Sequence, residues 1–349
     1  MGKKMKGLQR VAVIMLLFFA AVKADYGMNI VQAETYEDFY YQEKRDGTII
    51  IWQYYGNDDI LQIPNKIDGK SVTEIGNSAF KGCSSLKSIT IPDSVTEIGY
   101  SAFESCSSLK SIIIPNSITE IEYLTFKGCS SLKNITIPDS VTEIGDDAFD
   151  SCSSLKSITI PDSVTKIGDG TFVFCSSLKS IIIPDSVTKI GNYAFEFCSN
   201  LKYIIIPDSV TEIGYSAFES CRSLKSITIP DSVTKIGDGA FSYCRSLKSI
   251  TIPNRVTEIG KDAFSHCTKL KSVNIKSSKL KKIGDNAFSG DKKLKKITLK
   301  TTKLTKKSIG KNVLKETNKK LVIKVPKKKV SAYKKYFKGK GNKTVKVTK

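Results

Sequence analysis

The chain has 349 residues, of which 40% are hydrophobic and 26% are charged, with 55 Lys and Arg against 34 Asp and Glu. This is enough apolar material to form a core, so a wholly disordered chain is excluded. The single histidine, His266, excludes multi-His metal sites and HExxH motifs.

The net charge of +21 is unevenly distributed along the chain. Residues 1–25 carry +4, and residues 276–349 carry +24 because 27 Lys face only Asp285, Asp291 and Glu316. Residues 26–275 therefore carry a net charge of −7. This asymmetry predicts an anionic partner for the C-terminal end only.

The N-terminus has the pattern of an export signal. Basic residues from Lys3 to Arg10 precede an apolar run of 12 residues, Val11 to Val22, which is too short to span a bilayer. Small residues offer cleavage sites after Ala24 or Ala33, and we prefer Ala33. We therefore expect residues 1–33 to be a signal peptide, with an uncleaved anchor as the alternative, and the mature protein to be secreted or held non-covalently at the cell surface.

An internal repeat dominates the rest of the chain. Phe recurs every 23 residues from Phe80 to Phe264 and then 24 residues later at Phe288. Each of the nine cysteines lies three residues after one of these Phe residues, and a Leu lies six residues after each Phe. A weaker unit follows, in which Leu314 takes the Phe position. Such a period indicates a stacked repeat architecture.

Each unit has the pattern of a turn of chain with two short strands. Leu86 to Ile91 alternates apolar and polar residues and favours a strand with one buried face. Pro92 and Asp93 favour a turn, and Val95 to Ile98 is a second apolar alternation. A unit of 23 residues cannot bury its own apolar face, so about eleven coils are expected to stack in register as a β-rich solenoid.

The repeat resembles the BspA-like, or Treponema-type, leucine-rich repeats of bacterial and protist surface proteins. The resemblance rests on the form IPDSVTxIGxxAFxxCxSLKSIxIP and covers about residues 71–326. It implies a solenoid at 71–326, an irregular N-terminal capping coil at 34–70 and a Lys-rich C-terminal cap at 327–349, which resembles the closing segment of secreted members from Gram-positive gut bacteria. It also implies adhesion or protein binding at a cell surface, and it carries no shared catalytic motif.

The cysteines are predicted to form a buried ladder of free thiols. No CxxC motif occurs, and the uniform spacing would give parallel Cβ vectors in stacked coils. One or two bridges between neighbouring coils, or a metal or redox role, remain as alternatives.

Three polar columns accompany the repeat. The Asp column that includes Asp93 is expected to cap turns, with Ca²⁺ binding as the alternative. The Ser column that includes Ser94 is expected to be a structural ladder. The Lys column from Lys87 to Lys271 is expected to be a solvated rim, with binding of an acidic polymer as the alternative.

Ligand contacts are expected where columns depart from the consensus. Outward strand positions are mostly Ser and Thr, but four of them are apolar or aromatic: Ile113, Ile182, Tyr203 and Ile205. A second group stands where other coils have Gly or Ser after the repeat Phe: Phe174, Phe197, Tyr243 and His266. Either group is a candidate ligand site or the result of repeat drift.

The Lys-rich end supports a separate prediction. Residues 330–337 are expected to form an amphipathic helix that seals the last coil, and residues 344–347 a final strand. The surplus lysines are candidates for polyanion binding, and they lie at Lys327, Lys328, Lys329, Lys334 and Lys335. Anionic cell-wall polymer or glycan is preferred over nucleic acid, since the sequence has no base-reading module.

The sequence therefore predicts a binding protein and not an enzyme, with no catalytic residues, metal or cofactor. A host extracellular or cell-surface protein or glycan is the expected ligand. A structural or self-associating cell-wall component is the first alternative. A carboxylate-dependent hydrolase is a remote one, because paired acidic residues are not evident on the strand face.

Overall fold

Each repeat forms one turn of a solenoid, because its two apolar segments become short strands that are joined by bends. In the computed structural model, which describes residues 34–349, the chain forms about 13 turns with roughly 23-residue spacing. The eleven predicted coils are extended by one turn at each end. The predicted signal segment, residues 1–33, lies outside the described residues.

The first turns are closed by an antiparallel hairpin with a bulge. The strands concerned are β1 Glu34–Tyr36, β2 Phe39–Glu43, β3 Ile49–Tyr54, β5 Lys66–Ile67 and β6 Lys70–Ile75. Strand β2 pairs antiparallel with β1 and β3, and β3 pairs parallel with β6. A short antiparallel pair joins β5 to β6.

One side of the solenoid, which we call the strand face, consists of parallel strands of three or four residues. In the three-residue strands the central Ile, Val or Leu points into the core and the residues on either side point outward, whereas the four-residue strands end in a second buried residue. The chain crosses residues 226–228 without a formal strand. The strand face contains β4 Ile60–Gln62, β7 Ser88–Thr90, β9 Ser111–Ile113, β11 Asn134–Thr136, β13 Ser157–Thr159, β15 Ser180–Ile182, β17 Tyr203–Ile205, β20 Ser249–Ile252, β22 Ser272–Ile275, β24 Lys296–Leu299, β25 Val322–Lys324 and β26 Lys346–Thr348.

A second row of parallel strands runs along another side; its first strand pairs with β6, and the other eight form one sheet. Its strands have two residues each, an exposed or half-buried Glu or Lys followed by a buried Ile. They are β8 Glu97–Ile98, β10 Glu120–Ile121, β12 Glu143–Ile144, β14 Lys166–Ile167, β16 Lys189–Ile190, β18 Glu212–Ile213, β19 Lys235–Ile236, β21 Glu258–Ile259 and β23 Lys282–Ile283.

The repeat Phe residues form a continuous stack through the core. Ring centroids of neighbours such as Phe103 and Phe126 lie 5.6 Å apart with an interplanar angle of 4°. All of these rings are buried. Complete burial of one such side chain stabilises the fold by about 1.5–3 kcal/mol.

The bend that carries the Phe supplies a third backbone ladder. The amide of Phe103 donates to the carbonyl oxygen of Thr125 in the next coil at 2.9 Å, and the amide of Ser105 donates to that of Lys127 at 2.7 Å. Two residues in most of these bends have positive φ, such as Ser101 at +55° and Ser105 at +62°. This left-handed conformation is costly for residues other than Gly, Asn and Asp.

The last coil is sealed by helix α1, Val330–Phe337, which follows a 3₁₀ turn at Lys327–Lys329. The helix bounds agree with the sequence prediction. Tyr333 and Phe337 are buried, and the Tyr333 hydroxyl donates to the carbonyl oxygen of Thr301 at 3.0 Å. Strand β26 then pairs parallel with β25. The Lys-rich end therefore continues the solenoid and covers its core.

Candidate functional site

The strand face carries an exposed apolar patch formed by Ile182, Tyr203 and Ile205. Their exposed fractions are 67%, 57% and 63%. Strands β15 and β17 pair in register, so that Ile182 lies opposite Ile205 and Ser180 opposite Tyr203. Thr159 and Thr228 occupy the equivalent outward positions in the coils on either side. The apolar patch is therefore local to two coils, as predicted.

Ile113 is 76% exposed but lies apart from the apolar patch. It pairs with Thr90 on one side and Thr136 on the other, so polar residues surround it on the strand face. Ile60, which the repeat pattern did not predict, is 74% exposed on β4 opposite Ser88. The irregular first coil hid its register.

The second predicted group forms two stacked pairs, which we call the aromatic ridge: Phe174 with Phe197, and Tyr243 with His266. Centroids of the first pair lie 4.6 Å apart with an interplanar angle of 8°. Those of the second pair lie 4.7 Å apart at 7°. Ser220 separates the two pairs, and the Arg245 guanidinium lies 5.7 Å from the centroid of the Tyr243 ring.

All four members of the aromatic ridge have left-handed backbone conformation, with φ from +56° to +59°. Three other coils place glycine at this position, Gly82, Gly128 and Gly290, also with positive φ. The glycines were the sequence signal for this conformation. Bulky residues at such positions carry strain of about 1–2 kcal/mol each.

Two tyrosines that the sequence pattern did not predict lie in the same bends as the aromatic ridge positions. Tyr193 and Tyr215 meet edge to face with centroids 4.9 Å apart, and both are exposed. In this bend, Asp or Asn side chains accept a hydrogen bond from a backbone amide of the next coil, as Asp146 Oδ1 does from the Asp169 amide at 2.7 Å. The position after the repeat Gly is thus an Asx ladder, which Tyr100 and Tyr215 interrupt, as does Tyr123 in the coil that has Glu122 in place of the Gly.

The residue after the repeat Phe alternates between Lys and an acidic residue in the first four coils, and this alternation ends at Val173. The Nζ atoms of Lys81 and Lys127 lie 2.9 Å from carboxylate oxygens of Glu104 and Asp150, respectively. Farther along, half-buried Glu196 is followed one coil later by Glu219. Burial, reinforced by the charge of Glu219, raises the pKa of Glu196 to about 7.

The predicted thiol ladder is present. All nine cysteines are free, and eight are buried; only Cys83, in the first regular coil, is half-buried. Each buried Sγ lies 3.1–3.2 Å from the carbonyl oxygen of the Phe one coil back, as Cys175 does from Phe149. Burial raises the pKa of Cys175 well above its usual range. These thiols therefore act as weak hydrogen-bond donors within the core.

The tenth coil places Asp291 at the cysteine position. The side chain is fully buried and neither carboxylate oxygen has a hydrogen-bond partner. Burial raises the pKa of Asp291 well above its usual range. A charged carboxylate in this position would be strongly destabilising, so the protonated form is favoured.

The Ser column is structural, as predicted. The Ser94 hydroxyl donates to the carbonyl oxygen of Val72 at 2.7 Å, and its counterparts repeat this bond in successive coils. Within residues 34–349, no group of three or more His, Cys, Asp or Glu side chains could hold a metal ion. His266, the one imidazole, stacks against Tyr243.

Four of the five predicted tail lysines are exposed: Lys327, Lys328, Lys334 and Lys335. Lys329 is half-buried. No ion pair of these lysines is found in the described part of the chain. In that same part, no helix has the length and apolar character needed to cross a membrane.

Comparisons with known proteins agree with the repeat. The family model of the BspA type leucine-rich repeat region matches the chain in four overlapping segments, residues 59–177, 101–225, 165–278 and 211–344. None of the curated proteins compared with the chain matches it.

Several solved structures are similar over nearly the whole chain. A leucine-rich repeat protein from Bacteroides ovatus is 28% identical, with a TM-score of 0.62 over 93% of this chain and 99% of that chain. A leucine-rich cell surface protein from Faecalibacterium prausnitzii is 29% identical, with a TM-score of 0.51 over 91% of this chain and 95% of that chain. The pneumococcal vaccine antigen PcpA, at 21% identity and a TM-score of 0.54 over 92% of this chain and 99% of that chain, shares the fold.

Proposed function

The chain belongs to the BspA-type leucine-rich repeat proteins, and from this premise we propose that it is a secreted or cell-surface binding protein that acts by adhesion and not by catalysis. The observation that carries the proposal is the apolar patch of Ile182, Tyr203 and Ile205 on an otherwise Ser- and Thr-rich strand face. An exposed apolar cluster on a rigid sheet is typical of a contact site.

The regular strand face supports polyvalent binding. Successive coils present similar outward side chains about 4.8 Å apart, so an extended ligand meets the same weak contact many times. Linked contacts of this kind raise the overall affinity through effective concentration. A host extracellular protein or glycan is the proposed ligand.

The test of the apolar patch restores the consensus strand at both coils. In the triple variant Ile182→Thr, Tyr203→Ser and Ile205→Thr, the outward residues match those of Ser157–Thr159, so strand pairing should be retained. A second variant, Ile60→Thr with Ile113→Thr, removes exposed isoleucines elsewhere on the strand face and is the matched control.

Both variants and the parent protein are applied to arrays of purified extracellular-matrix proteins and glycans. We expect the parent to bind at least one ligand saturably, the patch variant to lose at least tenfold in affinity, and the control to stay within twofold. A parent protein without a saturable ligand would favour the structural role in the cell wall. Equal binding by parent and patch variant would remove the patch from the proposal.

We further propose that the exposed tail lysines hold the protein on an anionic cell wall. Removing residues 327–349 would also remove α1 and β26, which cover the core, so substitution is the sharper test. The quadruple variant of Lys327, Lys328, Lys334 and Lys335 to Gln should fold normally and elute from purified Gram-positive walls at lower salt. Unchanged elution would contradict the tether.

Export is proposed from the apolar N-terminal segment and from the cell-surface protein similar to this chain. Expression in a Gram-positive host, followed by fractionation and N-terminal sequencing, tests it. We expect the protein outside the cell with a new N-terminus at Asp25 or Glu34. A cytoplasmic protein that retains residues 1–33 would contradict this proposal.

A further inference from the structure

Ten lysines lie in register along one edge of the strand face, one in each consecutive coil. The amide of each typically donates to the carbonyl oxygen of the preceding lysine, as Lys110 does to Lys87 at 3.0 Å and Lys271 does to Lys248 at 2.8 Å. All ten side chains are exposed. We call this row the lysine edge: Lys87, Lys110, Lys133, Lys156, Lys179, Lys202, Lys225, Lys248, Lys271 and Lys295.

The lysine edge is almost free of neutralising charge. Its one ion pair among the described residues joins Lys87 to Asp59 at its N-terminal end, at 3.0 Å. From the second coil onward, the five residues that follow the core cysteine position contain no Asp or Glu. These segments are residues 107–111, 130–134, 153–157, 176–180, 199–203, 222–226, 245–249, 268–272 and 292–296.

The same segments supply further hydrogen-bond donors and positive charge. Serines flank most of the lysines, and the later coils add Arg222, Arg245, Lys269 and Lys292. Some lysines elsewhere on the solenoid are compensated by a carboxylate in the neighbouring coil, as Lys282 is by Glu258 at 2.7 Å. Within residues 34–349, the nine lysines from Lys110 to Lys295 in the lysine edge form no ion pair.

The lysine edge ends in a lysine-lined cleft near the C-terminus. This open cleft has a volume of about 540 Å³. Lys292, Lys295, Lys319 and Lys320 line it together with Glu316, Thr317 and Asn318. Four lysine side chains and one carboxylate, that of Glu316, thus lie where the single row stops.

We propose that the lysine edge binds a linear anionic glycan that runs along the solenoid axis, with acidic groups recurring along its sugars and its end in the lysine-lined cleft. The charges recur about every 4.8 Å, the spacing of parallel strands, which is comparable with a sugar unit. Ammonium groups bind carboxylate or sulfate as point charges, and the serine hydroxyls donate hydrogen bonds to them.

Nucleic acid fits this edge less well. Binding of single strands depends on successive aromatic side chains on which bases stack, and Tyr203 is the one aromatic residue within these segments. The lysine edge is also separate from the tail lysines at 327–335. It therefore predicts glycan binding whether or not the tail holds the protein on a wall.

The test compares two variants with the same change in charge. The edge variant replaces Lys156, Lys179 and Lys202 with Gln. The control variant replaces Lys166, Lys189 and Lys235 with Gln, on the second sheet. All six side chains are exposed, and circular dichroism checks that both variants fold.

Binding is measured with polygalacturonate fragments of two to twelve sugars, with heparin, and with oligo(dT) of similar charge. We expect the affinity for the glycan to rise with its length and to fall at least tenfold in the edge variant. The control variant, and the variant with Gln at the four exposed tail lysines, should bind within threefold of the parent. Loss of three contacts should also reduce the slope of log K against log salt concentration by about 2.

Three results would overturn the proposal. Equal losses in the edge and control variants would indicate a response to net charge alone. Affinity that does not depend on glycan length would exclude binding along the axis. Binding of oligo(dT) as tight as that of the glycans would assign the edge to polyanions in general.

Discussion

Phe174 and Phe197 stack nearly parallel on the surface, with centroids 4.6 Å apart, although each holds its backbone in the left-handed region. Two residues earlier in each coil, Phe172 and Phe195 stack in the core with centroids 5.4 Å apart. The same residue type therefore occupies two environments within one bend.

Replacing Phe174 with Gly should change the free energy of unfolding by less than about 1 kcal/mol. Relief of left-handed strain offsets the lost stacking and the greater backbone entropy of Gly. Phe172→Ala, the matched core change, should cost about 3–5 kcal/mol. Urea denaturation measures both. A loss above 2 kcal/mol for Phe174→Gly would mean that the aromatic ridge stabilises the fold.

Glu196 should make stability depend on pH near neutrality. Its pKa is raised to about 7 in the folded protein, so the native state retains a proton that the unfolded state releases above about 4.5. Stability should therefore fall as pH rises from about 4.5 through 7. Melting temperatures measured across this range should show the decline.

Glu196→Gln should remove this part of the pH dependence, because the amide does not titrate. Glu104→Gln is the matched control, since the Glu104 carboxylate lies 2.9 Å from Lys81 Nζ. If the decline near pH 7 is the same in the parent and in Glu196→Gln, another group is responsible for it.

The thiol ladder predicts very selective chemical labelling. Under native conditions a disulfide reagent should modify about one thiol per chain, at Cys83, and slowly, because burial raises the pKa of Cys83 to about 12. All nine should react in denaturant. Cys83→Ser should abolish the native reaction, and rapid labelling of several thiols in the folded protein would contradict the buried ladder.

Asp291→Cys should raise the free energy of unfolding at pH 7 by about 1–3 kcal/mol, since it replaces an unpartnered buried carboxyl with the residue that the other coils use. Burial raises the pKa of Asp291 in the folded protein, so the parent should lose stability as pH rises above the pKa of Asp in the unfolded chain. The substitution should remove this decline.

The control for this substitution is Asp208→Asn, at an exposed turn position, which should stay within about 0.5 kcal/mol of the parent. Equal stability of Asp291→Cys and the parent across the pH range would mean that the Asp291 carboxyl has a compensating partner.

The sequence predicted the solenoid, the strand positions and the closing helix because each rests on a strict period or a local pattern. It predicted the apolar patch for the same reason, since Ile182 and Ile205 lie one repeat apart. The strain at Phe174 was readable from Gly128 in the same column but was missed. The raised pKa of Glu196 could not be predicted, because it depends on how deeply the side chain is buried and how near it lies to Glu219. The sequence pattern specifies neither.

Each coil forms hydrogen bonds mainly with its two neighbours, as the Lys110 amide does with the Lys87 carbonyl oxygen. Equivalent bonds would form between any two coils that become neighbours when one 23-residue unit is lost or gained. Gain or loss of one unit would therefore change the length of the protein by one coil. Such changes would move the apolar patch nearer to or farther from the closing helix while leaving its own two strands intact. The distance from the apolar patch to the closing helix would therefore be easier to change by gain or loss of repeats than the contact surface of the patch.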